Sequence, residues 1–228
     1  MSGFSREFYY LKLLTVLYVA TLLIFNIVAV KLWHFGPLVF TAGILLVPLT
    51  YIFGDVLTEV YGYARTRQII WLGFICNALM ILCIELAIRL PAAPDWHMQN
   101  EFAALLGNTP RIAAASLLAY WAGEFMNSYV IARMKVACKG RFMWLRMVAS
   151  TLAGQAIDSG IFITAAFAGN VPPHQLLVMI ASVIVFKVAY EFLLTPVTYK
   201  VVNHIKAREQ LDFFDRGTDF SPFRWQEA

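Results

Sequence analysis

Charged side chains are scarce in this chain of 228 residues, since Asp, Glu, Lys and Arg make up 14% of it and hydrophobic residues 60%. Soluble domains carry about a quarter charged residues, so this shortage is typical of a membrane protein. The three cysteines, Cys76, Cys83 and Cys138, form no CxxC or Cys/His pattern, which argues against a disulfide framework or a zinc site. Walker A, HExxH and nucleophile-elbow sequences are also missing, so we expect neither an enzyme nor a bound cofactor.

Long apolar runs fill most of the chain instead. A helix needs about 20 apolar residues to cross a bilayer, and six runs reach that length. They cover residues 10–31, 37–60, 69–90, 112–132, 147–169 and 175–200. We therefore predict an all-α membrane protein with six transmembrane helices in a single domain, residues 1–208. The polar tail, residues 209–228, is expected either to rest on the membrane interface or to be disordered, and a short helix is expected between Met98 and Leu106.

The basic residues give the orientation of these spans. Only Lys31, Arg89 and Arg111 would lie on one side, and Lys187 would lie inside the membrane. The remaining Lys and Arg residues would all lie on the other side: Arg6, Lys12, Arg65, Arg67, Arg133, Lys135, Lys139, Arg141, Arg146, Lys200, Lys206, Arg208, Arg216 and Arg224. Cytoplasmic loops carry such an excess, so both termini are expected in the cytoplasm. The net charge of +4 thus reflects topology, and we expect a bilayer as partner and no nucleic acid.

Four ionisable side chains, Glu124, Asp158, Lys187 and Glu191, fall inside the predicted spans. A charge at the bilayer centre costs at least about 2.5–3.5 kcal/mol, so such residues face a partner or a polar cavity. Lys187 and Glu191 are four residues apart on one helical face and could form a structural ion pair. Lys187 could equally pair with Glu124 of another span. Either pairing is compatible with contact to a hydrophilic ligand.

Further polar residues align with these charges. Tyr120 and Asn127 share a face with Glu124 in the fourth span, and Gln155 shares one with Asp158 in the fifth. A carboxylate, an amide and an aromatic ring together suit a planar heterocycle, which offers N–H donors, a carbonyl and a stacking surface. The predicted substrate-binding set is Asn26, Tyr120, Glu124, Asn127, Gln155, Asp158, Lys187 and Glu191.

The end of the second span carries another charged group. Asp55 and Glu59 are four residues apart, and Arg65 and Arg67 follow at the expected cytoplasmic edge. Asp55, Glu59 and Arg65 are candidates for coupling or gating. An interfacial salt-bridge cluster with the loop arginines is an equally good interpretation.

Five segments resemble the queuosine precursor transporters, bacterial inner-membrane proteins that are also called vitamin-uptake-transporter-like. The PLTYIFGDVLTEVYGYARTR segment (Pro48–Arg67) is the most specific part. The others are NIVAVK (Asn26–Lys31), GEFMNSYVIARMK (Gly123–Lys135), STLAGQAIDSGIF (Ser150–Phe162) and KVAYEFLLTPVTY (Lys187–Tyr199). The likeness covers residues 10–205.

The resemblance implies uptake of 7-cyano-7-deazaguanine (preQ0) and 7-aminomethyl-7-deazaguanine (preQ1), which are salvaged for a modified tRNA nucleoside. It also implies a six-helix layout similar to the substrate-binding subunits of energy-coupling-factor importers. A subunit that needs a partner ATPase module is therefore the alternative to a stand-alone transporter, and a homodimer is compatible with either. Energy coupling by protons is left open beside facilitated diffusion.

Overall fold

Long apolar helices form the frame of the computed structural model, which describes residues 8–35, 38–107 and 110–224. The helices α1 (Tyr9–Val28), α3 (Tyr63–Arg89) and α7 (Pro173–Glu209), and the run Gln99–Ala137 that contains α5 (Pro110–Ala137), are long and apolar enough to cross a membrane. Four of the six predicted spans are thereby confirmed. Large apolar side chains on their outer faces are more than half exposed, as lipid contact would require: Leu79, Leu82, Leu86, Phe192 and Leu193.

The fifth predicted span corresponds to α6 (Met143–Phe167), a continuous helix of 25 residues. At about 1.5 Å per residue its length would suffice to cross a bilayer. Gln155 and Asp158 both lie in the middle of this helix. The loop before α5 contains the short helix α4 (Gln99–Leu106), which confirms the helical pattern expected there.

The second predicted span, 37–60, is wrong as one continuous helix. Strands β1 (Leu32–Phe35) and β2 (Leu38–Thr41) form an antiparallel hairpin, in which Leu32 lies opposite Thr41. A 3₁₀ turn (Ala42–Leu45), helix α2 (Val47–Val56) and a π-helical turn (Leu57–Tyr61) follow. A helix that began near Pro37, which lies outside the described residues, would place Pro48 in its interior. There Pro removes a backbone hydrogen bond and clashes with the preceding turn, whereas the first turn of α2 tolerates it.

The two ends of the bundle differ in charge. At the end that we call the basic end, the start of α3, the end of α5, the start of α6 and the end of α7 meet. The start of α1 and the end of α7 also meet there, because the backbone N–H of Tyr10 donates to Glu209 Oε1 at 2.7 Å. An apolar core also lies at this end, around Tyr18, Leu57, Ile131 and Met147, all of them buried.

The tail after α7 packs along the basic end. Asp215 accepts hydrogen bonds from the backbone N–H of Tyr63 at 3.1 and 3.2 Å, where the first N–H groups of α3 need acceptors. Trp71 Nε1 donates to the carbonyl of Pro222 at 2.8 Å, and the Tyr63 hydroxyl donates to the carbonyl of Phe220 at 2.9 Å. The tail thus covers the basic end as an ordered strap. Burial raises the pKa of Asp215, even though the backbone N–H of Tyr63 opposes this.

Candidate functional site

A cavity of about 620 Å³ lies among the helices, between the middle of the bundle and the end opposite the basic one. This volume is within the range of small-molecule sites. Leu105 and Leu106 of α4 line its outer part, and Tyr51, Glu124 and Lys187 line its inner part. The cavity therefore reaches from the mouth of the bundle to the level of the intramembrane charges.

Lys187 of α7 is the cation of the cavity wall. Its Nζ lies 3.1 Å from Asp158 Oδ2 and also donates to Gln155 Oε1, so two helices meet through one ammonium group. Lys187 thus forms its ion pair with Asp158 of α6. Neither Glu191 nor Glu124 is its ion-pair partner. All three contacting side chains are only partly buried, and a ligand in the cavity could reach them.

Glu124 of α5 is a further carboxylate on the inner part of the cavity wall. The Tyr18 hydroxyl of α1 makes a hydrogen bond to it, and the Tyr18 and Tyr120 hydroxyls are 3.3 Å apart. The Tyr120 hydroxyl also reaches the carbonyl of Ile70 at 3.3 Å. This chain of hydroxyls fixes the carboxylate beside an aromatic ring.

Asn26 of α1 and Asn77 of α3 form an amide pair on the cavity wall. Asn26 Nδ2 donates to Asn77 Oδ1 at 2.8 Å and to the carbonyl of Leu22 at 3.0 Å, and both residues line the cavity. The sequence analysis included Asn26 but missed Asn77. The signal was present, since Asn77 is the single amide in the apolar part of α3, residues 69–88, and must find a partner when buried.

Two glycines allow α5 and α6 to pack closely enough to bring their carboxylates to one cavity. A Cβ atom at Gly123 would lie 2.8 Å from Asp158 Cβ, and one at Gly154 would lie 2.9 Å from the carbonyl oxygen of Gly123. Small residues serve this purpose at membrane helix interfaces. Gly154 therefore permits a close approach of α5, whereas a Cβ at Gly160 would meet nothing within 4 Å.

The predicted substrate-binding residues divide into two groups. Those that line the cavity are Asn26, Tyr120, Glu124, Gln155, Asp158 and Lys187. Asn127 and Glu191 lie one turn closer to the basic end, outside the cavity lining, and Asn127 Nδ2 donates there to Asp55 Oδ1 at 3.2 Å. Sequence periodicity indicates which residues share a helical face, but it does not give their depth along the bundle.

Glu59, a candidate for coupling or gating, is fully buried in a cluster of cations at the basic end. Its carboxylate accepts from Arg146 at 2.7 and 2.8 Å and from Lys206 at 2.6 Å. Lys135 Nζ donates to the backbone carbonyl of Glu59 at 2.5 Å. The candidate Arg65 lies nearby, where it donates to the carbonyl of Tyr61 at 3.2 Å and faces the ring of Phe213.

Asp212 of the tail closes this cluster, since its Oδ1 is 2.6 Å from Lys135 Nζ and 2.8 Å from Lys206 Nζ. Partial burial would raise the pKa of Asp212, but the hydrogen bonds from the two lysines outweigh it and lower the pKa. The sequence interpretation of a salt-bridge cluster with the loop arginines was wrong about the partners of Glu59, because its carboxylate pairs with Lys135, Arg146 and Lys206 instead. Within the described part of the chain, no group of three or more His, Cys, Asp or Glu side chains is arranged to hold a metal ion.

Similarity to known proteins identifies the family of this chain. Residues 41–201, more than two thirds of the chain, match the family described as "Putative vitamin uptake transporter". A protein of Bacillus subtilis (strain 168), named "Probable queuosine precursor transporter", is 29% identical over 186 residues, which is 81% of either chain. No solved structure matches the chain significantly. The cavity, the apolar helices and the family match agree, and the chain belongs to the vitamin uptake transporter family, as a membrane transporter of that type.

Proposed function

We propose that this chain is a stand-alone importer of the queuosine precursors preQ0 and preQ1 in the bacterial inner membrane. The observation that carries this proposal is the cavity itself, which places Glu124 and the Lys187–Asp158 pair at its inner part. The name of the Bacillus subtilis relative supports the substrate class. A hydrophilic ligand with several hydrogen-bonding groups fits such a wall better than a lipid would.

Six spans with both termini in the cytoplasm complete the proposal. The start of α1 and the end of α7 lie together at the basic end, as an even number of crossings requires. The helix α6 and the segment formed by α2 and its π-helical turn would be the two crossings beyond the four apolar helices. With the basic end in the cytoplasm, the cavity faces the outside.

The polar and aromatic side chains of the cavity wall complement the hydrogen-bonding groups and the flat face of a 7-deazaguanine ring. The guanine-like edge presents a ring N–H and an exocyclic amine, and one carboxylate such as Glu124 can accept from both. The neighbouring ring carbonyl can accept from an amide of Gln155 or from Lys187, and the Tyr120 ring offers a stacking face. The aminomethyl group of preQ1 is a cation at neutral pH, and Asp158 offers it a counter-ion.

Ligand-dependent thermal stabilisation of the detergent-purified protein tests the substrate. A ligand that binds only the folded state adds about 2.7 kcal/mol at 100 times its dissociation constant. We expect preQ0 or preQ1 to raise Tm, and riboflavin to leave it unchanged. The Asp158→Asn and Glu124→Gln variants should lose this stabilisation, while Asp95→Asn and Glu101→Gln, matched controls at exposed positions, should keep it. Stabilisation by riboflavin alone would overturn the proposed substrate.

A further inference from the structure

Two buried carboxyl groups face each other just below the cavity, on the side of the basic end. Asp55 of α2 and Glu191 of α7 are each 1% exposed. Their side chains lie within hydrogen-bonding reach of one another, and neither residue lines the cavity. Asp55 is one helical turn beyond Tyr51, which lines the cavity, and one turn before Glu59 of the cation cluster. The pair therefore occupies the level between the cavity and the closed basic end.

The hydrogen bonding of this pair is incomplete. Asn127 supplies one donor, to Asp55 Oδ1. Asp55 Oδ2 and both carboxylate oxygens of Glu191 are buried, and no donor among the described residues serves them. Two ionised carboxylates in this position would repel each other, and their burial further disfavours the charged form. A single proton held between them turns the repulsion into a hydrogen bond.

The cations described near this pair are bound to other carboxylates. A proton is therefore the group that can balance the negative charge of Asp55 and Glu191. Glu124 of α5 and Asp158 of α6 add two further carboxylates near this level, and Tyr51 lies on the same face of α2. The cation of this level, Lys187, is bound to Asp158 and Gln155 on the cavity wall. Three buried or partly buried cations at the basic end, Arg146, Lys135 and Lys206, are bound to Glu59 and Asp212.

We propose that Asp55 and Glu191 share one proton and form a proton-binding site that couples substrate movement to the proton gradient. The inference rests on the proposed transport function, to which it adds the energy source. The shared proton holds α2 against α7. Its release as H⁺ on the cytoplasmic side leaves two like charges, which separate the two helices and open the path from the cavity. Binding of another H⁺, which arrives from the outside through the cavity, restores the closed arrangement, so that one H⁺ moves inward in each cycle.

Infrared spectroscopy tests the site without any substrate. A protonated carboxyl group gives a C=O stretching band that an ionised group lacks, and we expect this band at neutral pH in the purified wild-type protein. Asp55→Asn and Glu191→Gln should each remove it, and the exposed-site control Glu101→Gln should retain it. A spectrum without the band in the wild type, or with the band intact in both variants, would overturn the shared proton. A thermal shift produced by sodium chloride but not by choline chloride, in a protein without the band, would assign the pair to Na⁺ instead.

Transport assays with the same protein separate this inference from the proposed function. Asp55→Asn in proteoliposomes should still exchange labelled preQ1 across the membrane but should no longer accumulate it above the outside concentration when a pH gradient is imposed. Wild-type vesicles with an internal pH dye should acidify as preQ1 enters. Exchange by the wild type without accumulation or acidification would overturn the coupling and leave the transport function standing. The infrared band together with an absence of any exchange would overturn the transport function alone.

Discussion

Charge balance inside the bundle depends on single residues, and Lys187 is the clearest case. It is the one cation that neutralises the cavity wall within the described residues, and it joins α7 to α6 through Asp158 and Gln155. Breaking a partly buried pair leaves a charge without a partner, which is more damaging than removing both charges. The pair is therefore expected to matter for folding as well as for binding.

A charge reversal tests this pair directly. Lys187→Glu should lower the yield of folded protein, because several carboxylates would then lie together near the middle of the bundle. The double variant Asp158→Lys, Lys187→Asp keeps one charge of each sign and should recover much of that yield, measured by gel filtration of the detergent extract. Equal yields for the single variant and the wild type would contradict the pairing.

The charged residues of the cavity wall could be predicted from the sequence, but their ion-pair partners could not. Intramembrane ionisable groups are conspicuous in an apolar chain, so Glu124, Asp158 and Lys187 could be chosen at once. Which of them pair could not be deduced, because Lys187 has a carboxylate four residues away on its own helix and others on neighbouring helices. The choice of Asp158 depends on how closely α5, α6 and α7 pack, which three-dimensional structure alone provides.

At the scale of elements, the π-helical turn Leu57–Tyr61 lies where the sequence predicted the end of a continuous second span. Sequence periodicity placed Asp55 and Glu59 on one helical face, which remains nearly true. It could not show that the apolar stretch before Pro48 folds into a hairpin, because short apolar segments are compatible with helix and strand alike. The π-helical turn ends at Gly62, whose positive φ of 84° begins a new helix in a different direction.

The cation cluster around Glu59 should contribute strongly to stability. Glu59→Gln leaves Arg146, Lys135 and Lys206 close together without their shared carboxylate, and breaking a buried pair costs about 3–5 kcal/mol. We expect a large drop in Tm of the purified protein. Glu85→Gln is the matched control, since its pair with Arg89 is exposed and is worth at most about 1 kcal/mol. A Tm change as small as that of the control would contradict the structural role of the cluster.

The strap adds a pH dependence through Asp212. Its pKa is lower in the folded protein than in the unfolded chain, so its stabilising effect is fully present above the ordinary Asp pKa of about 3.9 and is lost as the pH falls through the folded value. The Tm difference between the wild type and Asp212→Asn should therefore be largest at neutral pH and shrink under acid conditions. Because Asp212 is nearly half exposed, the difference should also shrink with salt. A difference that is independent of pH would contradict the ion pairs of Asp212.

At the scale of the whole molecule, one end of the bundle contains the cavity and the other end is closed. The cavity extends towards the end that the basic residues avoid, whereas Glu59, its cations and the strap close the other end. If the basic end faces the cytoplasm, this arrangement is the outward-facing state of an importer, and its inner exit must open elsewhere in the cycle. Hydropathy is a property of the chain itself, so four of the six predicted spans could be found from the sequence, and the distribution of Lys and Arg predicts their orientation. The closed basic end could not be predicted from the sequence, because it depends on contacts between segments far apart in the chain.

The central claim is transport by this chain alone, and uptake of labelled preQ1 into proteoliposomes that contain only this protein tests it most directly. We predict uptake above that of protein-free vesicles, competition by unlabelled preQ0, and loss of uptake in Asp158→Asn but not in the exposed-site control Asp95→Asn. Vesicles that take up no preQ1, although the purified protein binds it, would contradict the claim. Uptake that appears only after a partner ATPase module and ATP are added would make the chain a binding subunit.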